Sequence, residues 1–271
     1  MYLDYFELAE MPFSILADPR FLWYSTQHRE VKAKIIYQIQ QGRGPIYLFA
    51  DFGLGKTSLA RRIFDELGED KTKRVVFANP PKLRTPNAFL RFIMDEFEVK
   101  TDKNYARSLA RFEQFLVEQH QARIAPVLLI DEGQNMTRGM LELIHHFFNF
   151  STRQEFLIHI ALFGQNELGD LIASFPSLQS RMIPARLKPF TPAEVEEMIA
   201  FRWRVAGGSE HPPFQGEAVQ EIYELTQGNP RDICKLCDAS LLIAYAQEKK
   251  SIDRDLVIAS AVEVFVRNKK E

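Results

Sequence analysis

One short segment of the chain carries the residue types that bind phosphate. Residues 50–57 read Ala-Asp-Phe-Gly-Leu-Gly-Lys-Thr and follow directly on the apolar run 46–49. Glycines let a loop curl so that successive backbone N–H groups point inward, while a lysine adds a cation and a threonine hydroxyl can bind Mg²⁺. A strand that leads through such a loop into a helix is typical of a site for a nucleoside triphosphate.

The helical pattern that follows, through Leu59, Ile63 and Leu67, completes this arrangement and predicts that the chain binds ATP. The predicted ATP-binding residues of this segment are Asp51, Phe52, Gly53, Leu54, Gly55, Lys56, Thr57 and Ser58. One residue departs from the pattern, because Ala50 stands where a glycine is usual. An alanine is tolerated there only if its φ is negative.

A second apolar run ends in two carboxylates. Residues 127–130 read Val-Leu-Leu-Ile, and Asp131 and Glu132 follow them. A buried parallel strand has this composition, and its C-terminal end faces the ligand. We expect Asp131, together with Thr57, to bind Mg²⁺ and Glu132 to orient and deprotonate the attacking water. The alternative is that both carboxylates only begin a solvated turn.

The composition of the whole chain is that of an ordinary globular protein. It has 271 residues, 46% of them hydrophobic and 26% charged, with a formal net charge of −2. A contact with nucleic acid would therefore depend on a local basic patch or on several subunits together. No apolar run approaches the roughly 18 residues of a membrane span, and residues 1–6 lack a secretory signal, so we expect a cytoplasmic protein without a membrane contact.

Strand and helix patterns alternate through the first two thirds of the chain. They predict helices at 25–41, 56–67, 89–97, 105–119 and 140–148 and strands at 46–49, 75–78, 127–130, 156–163 and 182–187. This alternation favours a parallel sheet with helices on both faces. From residue 191 onward the patterns are only helical. We therefore predict a nucleotide-binding α/β domain at 1–190 and a helical lid domain at 191–271.

Two further residue pairs are of types that bind metals or undergo redox chemistry, but their surroundings in the sequence do not support such a site. Cys234 and Cys237 lie within an apolar helical pattern that offers no further ligands, so we expect both to be buried packing residues. His145 and His146 lie on an amphipathic helix without a companion at ligand spacing, and we expect them to be structural.

The chain resembles the AAA+ ATPases of the ExeA/GspA-like group. The segments that carry this resemblance are 5–6, 12–14, 18–22, 50–57, 130–135, 163–168, 205–208, 228–231 and 236–238. The resemblance implies a P-loop AAA+ domain with a parallel five-stranded sheet flanked by helices, followed by a small all-α lid. Two kinds of member matter: secretion-cassette ATPases, and TnsC-type ATPases that select DNA targets for transposition.

The resemblance also implies roles for residues outside the two motifs. Gln165 matches the polar sensor of the γ-phosphate, and Arg231 matches the sensor arginine that reaches back from the lid. A guanidinium suits that role because it binds phosphate oxygens in a fork. The alternatives are an ordinary strand-end turn for Gln165 and a surface arginine for Arg231.

Two implications of the resemblance stay open between alternatives. Arg181 resembles the arginine finger that completes a neighbouring subunit's site, and Arg186 is the rival candidate. A finger that acts in trans implies that a ring or helical filament, of hexamer-like form, is the working state. Phe13 and the corner at 18–19 either wall the adenine or pack in the core.

Basic residues after the second strand suggest a partner. Lys82, Arg84, Thr85 and Lys103 lie in segments that, by the resemblance, line the pore of an assembly. Repeated by successive subunits, they would contact the phosphates of double-stranded DNA without reading its sequence. Arg91, Lys100, Arg107 and Arg111 extend this basic set. The alternative is a solvated charged helix face.

Our interpretation is an ATP-dependent DNA-binding regulator that oligomerises on double-stranded DNA and marks target sites for transposition. Its further partners would be a transposase and target-selector proteins. We favour this interpretation because the chain shows no membrane segment or cell-wall domain, and the alternative is that truncation of a longer protein produces the same absence. The alternative is an ExeA/GspA-like ATPase that assists assembly of a secretion or envelope complex, and a third hypothesis is a nucleotide-gated switch with negligible turnover.

Overall fold

The structure is a computed structural model that describes residues 2–16, 18–80, 82–153 and 155–266. The chain forms two compact units. We call residues 27–52 and 56–187 the sheet unit, and residues 1–26, 53–55 and 188–271 the helical unit.

The strands and helices are as follows in chain order. The strands are β1 Ile46–Phe49, β2 Lys73–Ala78, β3 Ala125–Ile130, β4 His159–Gly164 and β5 Ile183–Arg186. The helices are α1 Tyr2–Tyr5, α2 Thr26–Gln40, α3 Lys56–Gly68, α4 Pro86–Glu96, α5 Tyr105–Gln121, α6 Arg138–Phe147, α7 Asn166–Ala173, α8 Pro176–Gln179, α9 Pro192–Val205, α10 Gly216–Thr226, α11 Pro230–Ala246 and α12 Arg254–Ala261. Short 3₁₀ helices lie at Pro19–Phe21 and Gly133–Asn135, and one π-helical turn lies at Val262–Val266.

The five strands form one parallel sheet in the order β2-β3-β4-β1-β5. Because β3, β4 and β1 are neighbours, the segments after Ile130, Gly164 and Phe49 leave the sheet side by side at its C-terminal edge. Ligands of open parallel sheets bind at that edge. The predicted fold class, a P-loop α/β sheet with flanking helices followed by helices alone, is confirmed.

The core of the sheet unit explains why β3 is so apolar. All four residues from Val127 to Ile130 have no exposed surface. A cluster of phenylalanines, including Phe97, Phe112 and Phe147, packs against this sheet from α4, α5 and α6 with ring centroids 5.1–5.9 Å apart in neighbouring pairs. Each buried ring of this size stabilises the fold by about 1.5–3 kcal/mol. The polar residues that follow these strands are therefore attached to a well-packed apolar core.

The helical unit includes the N-terminal residues, which differs from the predicted division into 1–190 and 191–271. The reason is packing between segments that are distant in sequence. Tyr2, Phe13 and Phe21 are buried in the apolar core of α9–α12. In addition, the buried guanidinium of Arg202 on α9 donates hydrogen bonds to the carbonyls of Pro12 (2.7 Å), Ser14 (2.7 Å) and Phe21 (3.3 Å).

The predicted elements differ from the structure mainly at β4 and after it. The strand begins at His159 and not at Phe156, because Phe156 forms an isolated antiparallel bridge with Ser151. The helices α7 and α8, which lie between β4 and β5, were not predicted from the apolar pattern. In the described part of the chain, no helix has the length and apolar composition needed to cross a membrane.

The cysteines and histidines behave as packing residues. Burial raises the pKa of Cys234 to about 11 and raises that of Cys237 well above its usual value, so both thiols stay protonated. The ring of His145 contacts Phe148 and Phe175, and that of His146 contacts Phe150.

Candidate active site

The loop between β1 and α3 has the backbone that a phosphate cradle requires. Gly53 and Gly55 have φ of +90° and +82°, a region that residues with a side chain rarely adopt. Ala50 is not among the described non-glycine residues with positive φ, so its departure from the glycine pattern costs nothing. Leu54 anchors the loop in the interior, whereas the Phe52 side chain is exposed. The loop therefore fits a triphosphate.

Lys56 is the first residue of α3, and its ammonium turns back onto the loop. Its Nζ donates hydrogen bonds to the carbonyl oxygens of Ala50 (2.9 Å) and Asp51 (2.7 Å). The residue is only 8% exposed. A cation at the N-terminus of a helix adds to the positive end of the helix dipole. This arrangement concentrates positive charge where the loop closes, and Ser58 follows within the same first turn.

Two oxygen groups that could hold Mg²⁺ are adjacent. The Thr57 hydroxyl donates to Oδ2 of Asp131 at 2.7 Å, and Asp131 is 2% exposed. Because α3 and β3 contribute one group each, only the folded sheet brings them together. Hydroxyl and carboxylate oxygens are the ligands that Mg²⁺ prefers. The pair fits the predicted metal site.

Glu132 has a constrained backbone directly after Asp131. Its φ of 54° and ψ of 34° lie in the left-handed region, which is uncommon for a residue with a side chain. Its N–H donates to Oδ1 of Asp131 at 2.9 Å. Oε2 of Glu132 accepts a hydrogen bond from Nε2 of Gln134 at 2.6 Å.

Gln165 follows β4 and occupies the N-cap position of α7. Its N–H donates to Oε1 of Gln134 at 3.0 Å. The next residue, Asn166, donates from Nδ2 to Oδ1 of Asp51 in the phosphate-binding loop. The structure thus brings Gln165 to the same sheet edge as Asp131 and Glu132.

The sequence analysis did not predict that Gln134 and Asn166 lie at this edge of the sheet, beside the candidate site residues. Both lie within segments that contributed to the family resemblance, but neither stands at a spacing that points to chemistry. The only local signal is position, since each follows the end of a strand by a few residues.

Arg231 lies beside Gly53 within the helical unit. It is in the first turn of α11, where its N–H donates to Oδ1 of the N-cap residue Asn229 at 3.0 Å. A Cβ added at Gly53 would lie 2.4 Å from Oδ1 of Asn229 and 3.1 Å from Cβ of Arg231. Gly53 is therefore required for space as well as for its φ, and Arg231 lies beside it.

Arg181 lies near the N-terminal edge of the sheet, where the strands begin, and Arg186 lies at its C-terminal edge. Arg181 precedes β5, and the N–H of Ile183 donates to the carbonyl of Pro45, before β1 begins. Arg186 ends β5 opposite Phe49, and its guanidinium lies 5.7 Å from the centre of that ring. Only Arg186 is thus at the edge that carries Lys56. Arg181 is exposed, and its Nη1 donates to Oδ1 of Asn149 at 3.3 Å.

A cavity of about 500 Å³ opens beside Arg181 at the N-terminal edge of the sheet. Arg43, Asn149 and Arg181 are among its lining residues. The cavity therefore presents two guanidinium groups, on the side of the sheet unit away from its own phosphate-binding loop.

The predicted DNA-contact residues differ in their surroundings. Thr85 is the N-cap of α4 and accepts from the N–H of Ala88, so its hydroxyl has a structural role. Lys82, Arg84 and Lys103 are exposed.

Two further basic residues of this set make contacts within the sheet unit. Arg91 donates to the carbonyl of Asp102 at 2.9 Å, and Arg111 donates to that of Lys100 at 3.2 Å. These bonds hold the segment between α4 and α5, so both arginines have structural partners.

Phe13 belongs to the core of the helical unit. Its side chain is 1% exposed, and its ring meets that of Phe214 edge to face at 5.8 Å. Asp18 accepts hydrogen bonds from the guanidinium and the N–H of Arg20. Of the two alternatives for Phe13, core packing is the one that the structure shows.

Comparison with known proteins identifies related sequences. Residues 39–172 match the model of the AAA domain family AAA_22. General secretion pathway protein A of Aeromonas hydrophila is 32% identical over 270 residues, which are 97% of this chain and 48% of that protein. The chain thus spans about half the length of this relative.

Solved structures show the same fold at low sequence identity. Cdc6p of Pyrobaculum aerophilum superposes with a TM-score of 0.69 at 18% identity, over 93% of this chain and 70% of that one. The Drosophila ORC bound to DNA superposes with a TM-score of 0.68 at 17% identity, over 93% of this chain and 64% of that one.

Proposed function

We propose that this chain is an Mg²⁺-dependent AAA+ ATPase of the ExeA/GspA type, and its similarity to the AAA domain family and to general secretion pathway protein A supports this proposal. The observation that supports this proposal best is the hydrogen bond between Thr57 and Asp131. It joins the two motifs that the sequence predicted separately, beside a loop whose glycines have the conformation of a phosphate cradle.

The residues at the sheet edge would divide the work of hydrolysis. The backbone of residues 51–55 and the ammonium of Lys56 would bind the phosphates, and Thr57 and Asp131 would hold Mg²⁺. Mg²⁺, when bound, supplies charge that neutralises the phosphate oxygens. Glu132 would accept a proton from the attacking water.

The sensor residues would complete the site from its flanks. Gln165 would contact the γ-phosphate from the end of β4. The guanidinium of Arg231 would add a cation from the first turn of α11, where it lies beside Gly53. Both roles rest on position and on the resemblance to the family.

Arg181 would serve the site of another copy of the chain. It lies before β5, whereas the phosphate-binding loop follows the end of β1, its parallel neighbour. Strands rise about 3.3 Å per residue, so four residues of β1 place roughly 13 Å between the two edges. An arginine side chain does not span that distance across a packed sheet. A ring or helical filament would therefore be the active form.

The biological role that we propose is assistance in the assembly of a secretion or envelope complex. This is the alternative interpretation of the sequence, and the similarity to general secretion pathway protein A of Aeromonas hydrophila favours it over target selection for transposition. The transposition interpretation, with a transposase and target selectors as partners, has no support among the relatives described above. In either role, ATP hydrolysis would take place in the cytoplasm.

A DNA-binding role is the second candidate, and one observation favours it. Lys82, Arg84 and Lys103 are exposed in segments at the β2 side of the sheet. The Drosophila ORC shares the fold and was solved bound to DNA. A few cations per subunit would give strongly salt-dependent, sequence-tolerant binding.

The experiment that tests the proposal is ATP turnover by the purified chain, with Mg²⁺ or EDTA and with or without duplex DNA. We expect Mg²⁺-dependent turnover that DNA does not change. Turnover that rises with DNA, together with ATP-dependent co-sedimentation lost at high salt and in a Lys82→Ala/Arg84→Ala variant, would transfer the proposal to the DNA-binding role. Glu142→Ala serves as a surface control. No turnover in any condition would refute the ATPase.

A further inference from the structure

Gln134 makes two hydrogen bonds that join the predicted base to the predicted sensor. Its Nε2 donates to Oε2 of Glu132 at 2.6 Å, and its Oε1 accepts from the N–H of Gln165 at 3.0 Å. Glu132 follows β3 and Gln165 follows β4, so one side chain bridges the ends of two neighbouring strands.

Only an amide of this length can make both bonds. The carboxamide offers a donor and an acceptor on one rigid group, whereas a carboxylate has no donor and would place a second negative charge beside Glu132. Asparagine has the same group on a shorter side chain. Methionine has the length of glutamine but no strong donor or acceptor.

The strand end provides space for this bridge. A Cβ at Gly164 would lie 2.8 Å from Oε1 of Gln134. A larger residue there would displace the amide, so the last residue of β4 and the side chain of Gln134 fit each other. The amide of Gln134 also holds the carboxylate of Glu132, whose backbone is in the left-handed region. The hydrogen bond and the backbone conformation together restrict the orientations of the Glu132 side chain.

We propose that Gln134 is a positioning residue that couples Glu132 to Gln165. The inference rests on the proposed ATPase function and adds a regulatory link to the same site. One carboxylate oxygen of Glu132 is held by the amide, which directs the other toward the attacking water. Any shift of Gln165 on meeting the γ-phosphate moves its N–H, and through Gln134 it moves the base. Hydrolysis then becomes competent only when the sensor is engaged.

The test compares Gln134→Met with Gln114→Met. Gln114 is the matched control, because its Nε2 donates to Oε1 of Glu118 at 2.9 Å on the exposed face of α5. We expect Gln134→Met to lower kcat at least about tenfold, since misplaced catalytic groups cost that much or more. KM, the Kd of a fluorescent ATP analogue and Tm should match those of Gln114→Met. Should Gln134→Met fail to fold, Gln134→Asn replaces it with the same expectation.

A double-mutant cycle separates coupling from simple loss of a contact. Gln165→Ala keeps the backbone N–H and removes the sensor side chain. If Gln134 transmits the sensor's engagement, Gln165→Ala lowers kcat in the wild-type background and lowers it little further in Gln134→Met. Fully additive effects, or a kcat for Gln134→Met equal to that of Gln114→Met, would overturn the inference. Absence of turnover in the wild-type chain would instead refute the ATPase itself.

Discussion

The hydroxyl of Thr57 lies 2.7 Å from Oδ2 of Asp131, although 74 residues separate the two in the chain. One residue belongs to the first turn of α3 and the other follows β3, so the contact exists only because β1 and β3 both border β4. Asp131 also accepts the N–H of Glu132 on its other oxygen. The proposed metal site and the proposed base are thus built on one carboxylate.

Glu132→Gln is expected to keep nucleotide binding and lose hydrolysis. The amide retains the size of the side chain but cannot accept a proton, and acid–base catalysis contributes about 10²- to 10⁴-fold. Turnover should fall by that factor while the Kd for ATP stays within about twofold. The assembled state should accumulate with ATP and be visible by size-exclusion chromatography. Glu113→Gln, on the exposed face of α5, should change neither quantity.

Arg181→Ala is expected to abolish turnover without weakening nucleotide binding. Under the proposal, Arg181 serves the site of a neighbouring copy, so a mixture with Lys56→Ala should regain part of the activity. In the mixture, intact loops of one variant meet intact arginines of the other. Arg186→Ala is the matched comparison, because it removes an arginine from the C-terminal end of β5, whereas Arg181 precedes that strand. Unchanged turnover in Arg181→Ala with a loss in Arg186→Ala would assign the role to Arg186.

Arg202→Ala is expected to destabilise the helical unit by at least about 3 kcal/mol. The variant leaves the carbonyls of Pro12, Ser14 and Phe21 without their buried donor, and each such loss costs about 1–3 kcal/mol. Urea unfolding measures the change, and hydrogen exchange should increase first in residues 12–21. Arg204→Ala, an exposed neighbour on α9, should lose less than about 0.5 kcal/mol. Equal stability of the two variants would contradict this account.

His159 is expected to make stability depend on pH below neutrality. Burial lowers its pKa beneath the ordinary value, against a weaker opposing effect of Glu155, while Lys73 lowers it further. Below pH about 6.5 the unfolded chain therefore binds a proton that the folded chain does not, and stability falls as the pH falls. His159→Gln should flatten the decline of Tm between pH 7 and 5. His211→Gln, on an exposed histidine, should leave it unchanged.

Local pattern predicted the sheet unit well for a physical reason. β1 and β3 are short buried strands followed by glycine or acidic residues, and these composition changes mark the strand ends. In a parallel sheet the C-terminal ends of the strands meet at one edge. The parallel topology alone therefore predicts that Lys56, Asp131 and Glu132 lie at that edge. The predicted start of β4 at Phe156 was wrong, because Phe156 lies outside the sheet and forms an isolated bridge with Ser151.

Contacts between distant segments could not be predicted in this way. The hydrogen bonds of Arg202 reach residues about 190 positions earlier, and no periodicity records them. This explains why residues 1–26 were expected in the sheet domain. Gln134 was missed for a related reason: its proposed role depends on the register of β3 against β4, which places Gln165 within reach of its amide.

The most direct test of the central claim is ATP binding and Mg²⁺-dependent turnover in wild type, Lys56→Ala and Lys71→Ala. Lys56 is the buried ammonium of the phosphate-binding loop, and Lys71 is an exposed lysine before β2 that serves as the control. We predict that Lys56→Ala loses detectable binding and turnover, while Lys71→Ala matches wild type in both. Equal ATP affinity in all three proteins would contradict the account.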